Sequence, residues 1–195
     1  MQGINPVFVW ERLSMRELSL HILDIAQNSI KAEAECLRIV VIEDIEADKL
    51  TIKIKDDGTG MDSDTVKKVI DPFYTTRTTR KVGLGIPLFK TSAEACDGFF
   101  EIKSQLGVGT EITAVFRHSH IDRVPLGNMP ETIVTIINAC DKMDLVYTHT
   151  YHQQSFTLNT KEIKKLLDGV SINNLDVITW LREYISEGLN EIMKN

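Results

Sequence analysis

The sequence predicts an α+β protein, and three observations predict it. Residues 50–55, 99–104 and 111–116 are short apolar-rich runs divided by turn residues, the pattern of strands with a buried face. Residues 15–33 and the last stretch, through Ile192, repeat apolar side chains at spacings of three and four, the pattern of amphipathic helices. From His118 the pattern changes, and Pro125, Gly127 and Pro130 mark a linker. These divide the chain into a main domain over residues 15–119 and a small, mainly helical α+β appendage over residues 120–195. Residues 1–14 fit neither part and read as an ill-ordered extension, or at best an edge strand through Val7–Trp10.

The elements follow in order. In the first helix Leu18, Ile22, Ile25 and Ser29 share one face. His21, Asp24, Asn28 and Lys31 share another, with Asp24 and Asn28 one turn apart. Leu37–Ile42 is nearly all apolar and reads as a buried strand. It pairs antiparallel with Leu50–Lys55 across the turn at Asp48-Lys49. Asp62 to Asp64 offer capping oxygens for a short helix, Thr65–Ile70, which Pro72 ends. Ile86-Pro87 opens a helix that Gly98 stops. Phe99–Ser104 and Glu111–Phe116 form a hairpin. In the appendage, residues 131–140 read as helix, Leu145–Tyr147 and Ser155–Leu158 as short strands, and Asn159-Thr160 as the cap of a helix through Leu167. In the last helix Ile178, Leu181, Ile185, Leu189 and Ile192 form a stripe that must pack on something, the main domain or a partner.

Charge excludes some functions. The net charge is −6, split equally between residues 1–119 and 120–195, so neither part is a basic surface for nucleic acid or membrane. Cys36, Cys96 and Cys140 have neither metal spacing nor an even count for disulfides, which predicts a reducing, cytoplasmic setting. There is no apolar run of membrane-spanning length and no convincing signal peptide. His149 and His152 read as surface residues rather than ligands, since no third ligand is in view.

The chemistry concentrates where the strand Leu50–Lys55 runs into Asp56-Asp57-Gly58-Thr59-Gly60-Met61. Alone, this stretch fits a tight turn with solvated acids as well as it fits a pocket lip where glycines admit a ligand. Three further pieces favour the pocket. Asp24 and Asn28 can point at one ligand. Residues 71–85, Asp-Pro-Phe-Tyr-Thr-Thr-Arg-Thr-Thr-Arg-Lys-Val-Gly-Leu-Gly, place basic side chains and glycines just before a helix N-terminus, an arrangement that suits phosphate. Gly107-Val-Gly109-Thr110 supplies a last glycine turn.

Together these pieces resemble the motifs of the GHKL superfamily of histidine kinase-like ATPases. Asp24-Ile-Ala-Gln-Asn28-Ser resembles its N box, and Asp56-Asp-Gly-Thr-Gly-Met61 its Asp-x-Gly-x-Gly box. Asp71-Pro-Phe-Tyr-Thr-Thr-Arg77 resembles the F box, Lys81-Val-Gly83-Leu-Gly85-Ile the second glycine box, and Gly107-Val-Gly109-Thr110 the last. The boxes stand in family order across residues 15–117, and the wider sequence resembles small clostridial-type histidine-kinase-like ATP-binding proteins. The resemblance implies the two-layer Bergerat sandwich, with a mixed, largely antiparallel sheet and three helices. It implies ATP or ADP with Mg²⁺ as ligands.

It also implies roles. Asp56 would accept a hydrogen bond from the adenine amino group, and Gly58 and Gly60 would let the base lie against the backbone. Asn28 would hold Mg²⁺, with Asp24 as candidate general base. Gly83 and Gly85 would offer N–H groups to phosphate, Arg77 and Lys81 would add charge, and Thr110 would support the adenine side. Lys31, Met61, Phe73, Thr76, Val82 and Leu84 complete the contact set. At the position of Asp24, ATP-hydrolysing relatives usually carry Glu and many histidine kinases carry His. Aspartate is one methylene shorter than Glu. The second glycine box lacks a further glycine that the family often has.

Sensor kinases carry their phosphorylated histidine on a dimerising helix upstream of the N box, and here only a short extension precedes it. The expected function is therefore an ATP-dependent protein kinase or slow ATPase acting on a partner protein, with a homodimer possible. A non-catalytic ATP-dependent interaction switch is the alternative. Residues 71–85 are expected to become ordered when ATP binds.

Overall fold

A computed structural model describes residues 17–71 and 85–194. Alternating strands make its centre. In β1 (Cys36–Asp44), Leu37, Ile39 and Val41 point to one side and are fully buried. In β2 (Lys49–Asp56), Leu50, Ile52 and Ile54 do the same. The two pair antiparallel, with Ile39 opposite Ile54. Strands β3 (Phe99–Gln105) and β4 (Gly109–Arg117) form the expected hairpin, and β4 pairs antiparallel with β2. Beyond β1 the sheet continues into the C-terminal part. Strand β5 (Asp144–Tyr151) lies parallel to β1, and β6 (Gln154–Asn159) antiparallel to β5. The order is β3-β4-β2-β1-β5-β6, one mixed sheet of six strands.

The described helices are α1 (Leu18–Lys31), α2 (Ser63–Val69), α3 (Gly85–Glu94), α4 (Met129–Ala139), α5 (Thr160–Leu166) and α6 (Leu175–Ile192). The buried alternate residues of the strands face the apolar stripes of α1, α3, α4 and α6. The other face carries Arg38, Lys53, Lys55 and a set of threonines, more open to water. This is an α+β fold of two layers, as predicted.

Local chemistry sets the ends of the elements. The side chain of Asp62 accepts from the Thr65 N–H and caps α2, as expected. Asn128, Asn159 and Asn174 cap α4, α5 and α6. Helix α1 has no side-chain cap. Its first N–H groups, on Leu18 and Ser19, donate to the carbonyls of Pro125 and Leu126, at 3.0 and 2.8 Å. The linker is thus tied to the start of α1.

The structure departs from the sequence reading in the C-terminal part, and α2 starts two residues earlier than expected, at Ser63. Helix α4 starts two residues early, with Pro130 in its first turn, where a missing N–H costs nothing. The appendage strands are longer than expected and join the main sheet, because β5 needs the edge of β1 to satisfy its backbone. His149 is not a surface residue. It is fully buried on the helix side, where its Nε2 lies 2.9 Å from Glu43 Oε1 and its Nδ1 2.8 Å from the Tyr147 hydroxyl. A histidine is tolerated in the core when both ring nitrogens are satisfied. His152 is exposed.

Candidate functional site

Strand β2 builds the site by simple alternation. Leu50, Ile52 and Ile54 face the helices, so the next residue of that parity, Asp56, must face them too. Its carboxylate is brought under α1 at the end of the strand, 8% exposed. Oδ2 accepts from the Ser29 hydroxyl of α1 at 2.8 Å. Oδ1 accepts from the N–H of Gly58 at 3.0 Å and of Thr110 at 3.3 Å. Three donors from three elements thus fix one buried acid.

A second layer fixes the donors. The Thr110 hydroxyl lies 2.8 Å from Ser104 Oγ, which also accepts from the Met61 N–H at 2.8 Å. Asp57 faces outward, and its Oδ1 accepts from the N–H groups of Glu35 and Cys36, both at 2.8 Å, pinning the loop to the start of β1. Gly60 has φ +64°, and a side chain on it would run into the Gln105 carbonyl. A Cβ on Gly58 would lie 2.7 Å from the Ala32 carbonyl oxygen. The direction a side chain would take at each glycine is therefore filled by protein.

The acid opens onto a pocket of about 320 Å³, between α1, the Asp56–Met61 loop and β4. Of the residues singled out in the sequence, Asn28, Lys31, Asp56, Gly60, Met61 and Thr110 line it. Ile25, Val69, Ile86 and Ile112 supply apolar walls that the motifs did not identify. Such a cavity, mostly apolar with a few convergent polar groups, is the usual form of a small-molecule site. A larger hollow of about 800 Å³ lies over β2, β3 and β4 on the opposite face of the sheet, lined by Lys53, Lys103, Glu111 and Arg117 among others. The carboxylate–hydroxyl network around Asp56 is absent from it.

Asp24, Gly58 and Gly85 are not among the lining residues, and Asp24 and Gly85 instead meet where α1 and α3 come into close approach. Gly85 begins α3 against Asp24, and a Cβ there would lie 2.7 Å from Asp24 Cβ and 2.8 Å from Oδ2. Burial raises the Asp24 carboxyl above the usual carboxylate range, with the Lys31 charge pulling the other way. One turn earlier, His21 is 2% exposed and stacks on Phe89, ring centroids 5.2 Å apart. Burial pushes its pKa down to about 4, against a hydrogen bond with the Gly85 backbone. Its Nδ1 has no partner among the described residues. His21 therefore belongs to the α1–α3 seam. Asn28 is half-buried at the pocket wall. Phe73, Thr76, Arg77, Lys81, Val82, Gly83 and Leu84 lie outside the described residues.

Sequence reasoning missed Ser29 and Ser104. A lone hydroxyl in the apolar stripe of α1 was the available signal for Ser29. Ser104 in a strand gave none, because its value comes from the hairpin register that sets it beside Thr110.

Residues 15–120, just over half of the chain, match the family model described as Histidine kinase-, DNA gyrase B-, and HSP90-like ATPase. The chain belongs to this family, the GHKL superfamily. Sporulation kinase E of Bacillus subtilis is 33% identical over 111 residues, which are 56% of this chain and 14% of that protein. The sensor protein kinase FleS of Pseudomonas aeruginosa is 36% identical over 94 residues, 48% of this chain and 23% of that protein. The chain therefore spans only a small part of the length of these relatives. Among solved structures, the N-terminal domain of a DNA repair protein has the same fold. Its TM-score is 0.50 at 12% identity, covering 74% of this chain and 53% of that one. No described helix is long and apolar enough to cross a membrane.

Proposed function

We propose that this chain binds ATP with Mg²⁺ in the pocket under α1 and acts as a protein kinase or slow ATPase on a partner protein in bacterial signalling. Residues 15–119 would form the nucleotide unit and residues 120–195 its appendage, in a cytoplasmic protein. The observation that carries the reading is Asp56, a buried acid held by Ser29, Gly58 and Thr110 at the lip of an apolar pocket. A fixed acceptor there selects adenine. The amino group of adenine can donate to it, whereas guanine presents a carbonyl at that position and two acceptors would face each other.

The other roles follow from position. Met61, Ile112 and Ile25 would flank the base, with Gly58 and Gly60 shaping the loop. Asn28 would give Mg²⁺ one amide oxygen, with the phosphates and water supplying the rest. That suits a small cation that dehydrates reluctantly. The phosphates of the nucleotide would complete the metal site. Mg²⁺, when bound, would neutralise phosphate charge. The N-terminus of α3 at Gly85 would offer N–H groups to the phosphates, and Lys31 adds charge at the wall. Arg77, Lys81 and Gly83, with Phe73, Thr76, Val82 and Leu84, complete the proposed contacts from the sequence motifs alone.

Asp24 is the candidate general base. A carboxylate made more basic by burial accepts a proton more readily from an attacking water or hydroxyl. Kinetics test this. ATP turnover and phosphoryl transfer are measured with and without candidate partner proteins, alongside Asp24→Asn. The expected result is partner-dependent turnover that Asp24→Asn abolishes while ATP affinity is kept. Turnover by Asp24→Asn at the parent rate would remove Asp24 from the chemistry. ATP binding without turnover under any condition would favour the non-catalytic switch.

A further inference from the structure

The apolar stripe of α6 is spent inside the fold: Ile178, Leu181, Ile185, Leu189 and Ile192 are all buried. A partner must therefore read another face. Trp180, Tyr184, Glu187 and Glu191 follow at spacings of four, three and four, a second stripe on the same helix. Trp180 and Tyr184 stack with centroids 5.2 Å apart and are 47% and 40% exposed. Tyr184 also leans on Phe156 of β6, at 5.5 Å, and Gly188 lets the helix lie directly against that ring. The second stripe thus stands beside β6.

Strand β6 ends the sheet, with no described strand on its outer side. Its sequence, Gln-Ser-Phe-Thr-Leu-Asn, contains no charge and no proline, two of the features that usually keep edge strands from pairing. The opposite edge, β3, carries Glu101 and Lys103. Glu187 and Glu191 are exposed, and neither has an ion-pair partner among the described residues. Arg182 is engaged with Glu131 of α4.

We infer that the β6 edge and the Trp180–Glu191 stripe form a docking surface for an extended, basic segment of a partner protein, which adds as a seventh strand. Backbone groups of the segment pair with β6. On its helix-facing side, alternate residues lie against the Trp180–Tyr184 shelf, and Lys or Arg residues meet Glu187 and Glu191. Charge selects this occupant over a second copy. A twofold contact brings the same stripe to itself, doubling the carboxylates and supplying no cation within the stripe to answer them. The surface does not involve the nucleotide pocket, so it can stand or fall separately from the ATP reading.

The test uses a library of eight-residue peptides displayed on phage, panned against the full chain without nucleotide. The strongest peptide is then synthesised and titrated by fluorescence anisotropy. We expect enriched peptides to carry Lys or Arg at alternate positions. Glu187→Lys with Glu191→Lys should weaken the peptide at least tenfold, as should Trp180→Ala with Tyr184→Ala. Hydrogen exchange of the parent should slow in β6 when the peptide is bound, a readout that needs no variant. Enrichment without basic residues, equal affinity after charge reversal, or unchanged exchange in β6 would overturn the proposal. A dimer in sedimentation that Trp180→Ala with Tyr184→Ala dissociates would overturn it too, assigning the face to a second copy.

Discussion

Protonating His21 should loosen the seam beside the pocket under α1, and the cost can be worked out. The imidazole is buried between α1 and α3, and its pKa falls from 6.5 to about 4 because burial penalises the cation. The unfolded chain therefore binds a proton between pH 6.5 and 4 that the folded chain refuses. Unfolding becomes more favourable as pH falls through that window. Each tenfold drop in proton affinity is worth about 1.4 kcal/mol, so the full loss approaches about 3 kcal/mol near pH 4. Carboxylates whose pKa values are lowered by folding, such as Glu43, lose their contribution below about pH 4.5. Asp24, whose carboxyl pKa burial raises, acts in the opposite sense but is common to the parent and His21→Leu. Urea denaturation of the parent and of His21→Leu, at half-unit steps from pH 7.5 to 4, isolates the effect. Stability of the parent should fall more steeply with acid, the gap between the two changing by about 2–3 kcal/mol across the window. Parallel profiles would refute the placement of a neutral, buried His21.

Three other outcomes follow from the geometry. Glu43 accepts from His118 and His149, and although burial alone would raise its pKa, these partners lower it. Glu43→Gln should therefore cost about 2–3 kcal/mol in urea denaturation at pH 7, less at pH 4. Gly85→Ala places a methyl group against Asp24 and should shift the start of α3, lowering ATP affinity in calorimetry more than it lowers the melting temperature. Asn28→Ala should weaken ATP binding in the presence of Mg²⁺ and leave the weaker Mg²⁺-free binding nearly unchanged, measured by the same titration.

Much of this protein was legible because its strands alternate cleanly. Leu50, Ile52 and Ile54 predicted the buried face of β2, and the same parity carries Asp56 to its place. The caps at Asp62 and Asn159 were readable from residue type. What was not legible depends on contacts distant in sequence. The burial of His21 could not be read from its helix face, which also holds Asp24 and Lys31, because it comes from the packing of Phe89. His149 looked exposed because Glu43, 106 residues earlier, was not known to face it. Gly58 and Gly60 were readable as places without a side chain, but the contacts of Ala32 and Gln105 that bar one there were not. The parallel pairing of β5 with β1 could not be read locally, since nothing in either strand names the other.

The central claim is that Asp56 makes this pocket specific for adenine. Calorimetric titration of ATP and GTP, with Mg²⁺, into the parent and into Asp56→Asn tests it directly. Asparagine keeps an oxygen for the Gly58 and Thr110 N–H groups but turns an amide donor toward the other side. ATP should bind the parent more tightly than GTP, and the substitution should cost about 1–3 kcal/mol of ATP affinity, roughly 5- to 150-fold. A folded Asp56→Asn that binds ATP as the parent does, or a parent that binds GTP as tightly as ATP, would contradict the account.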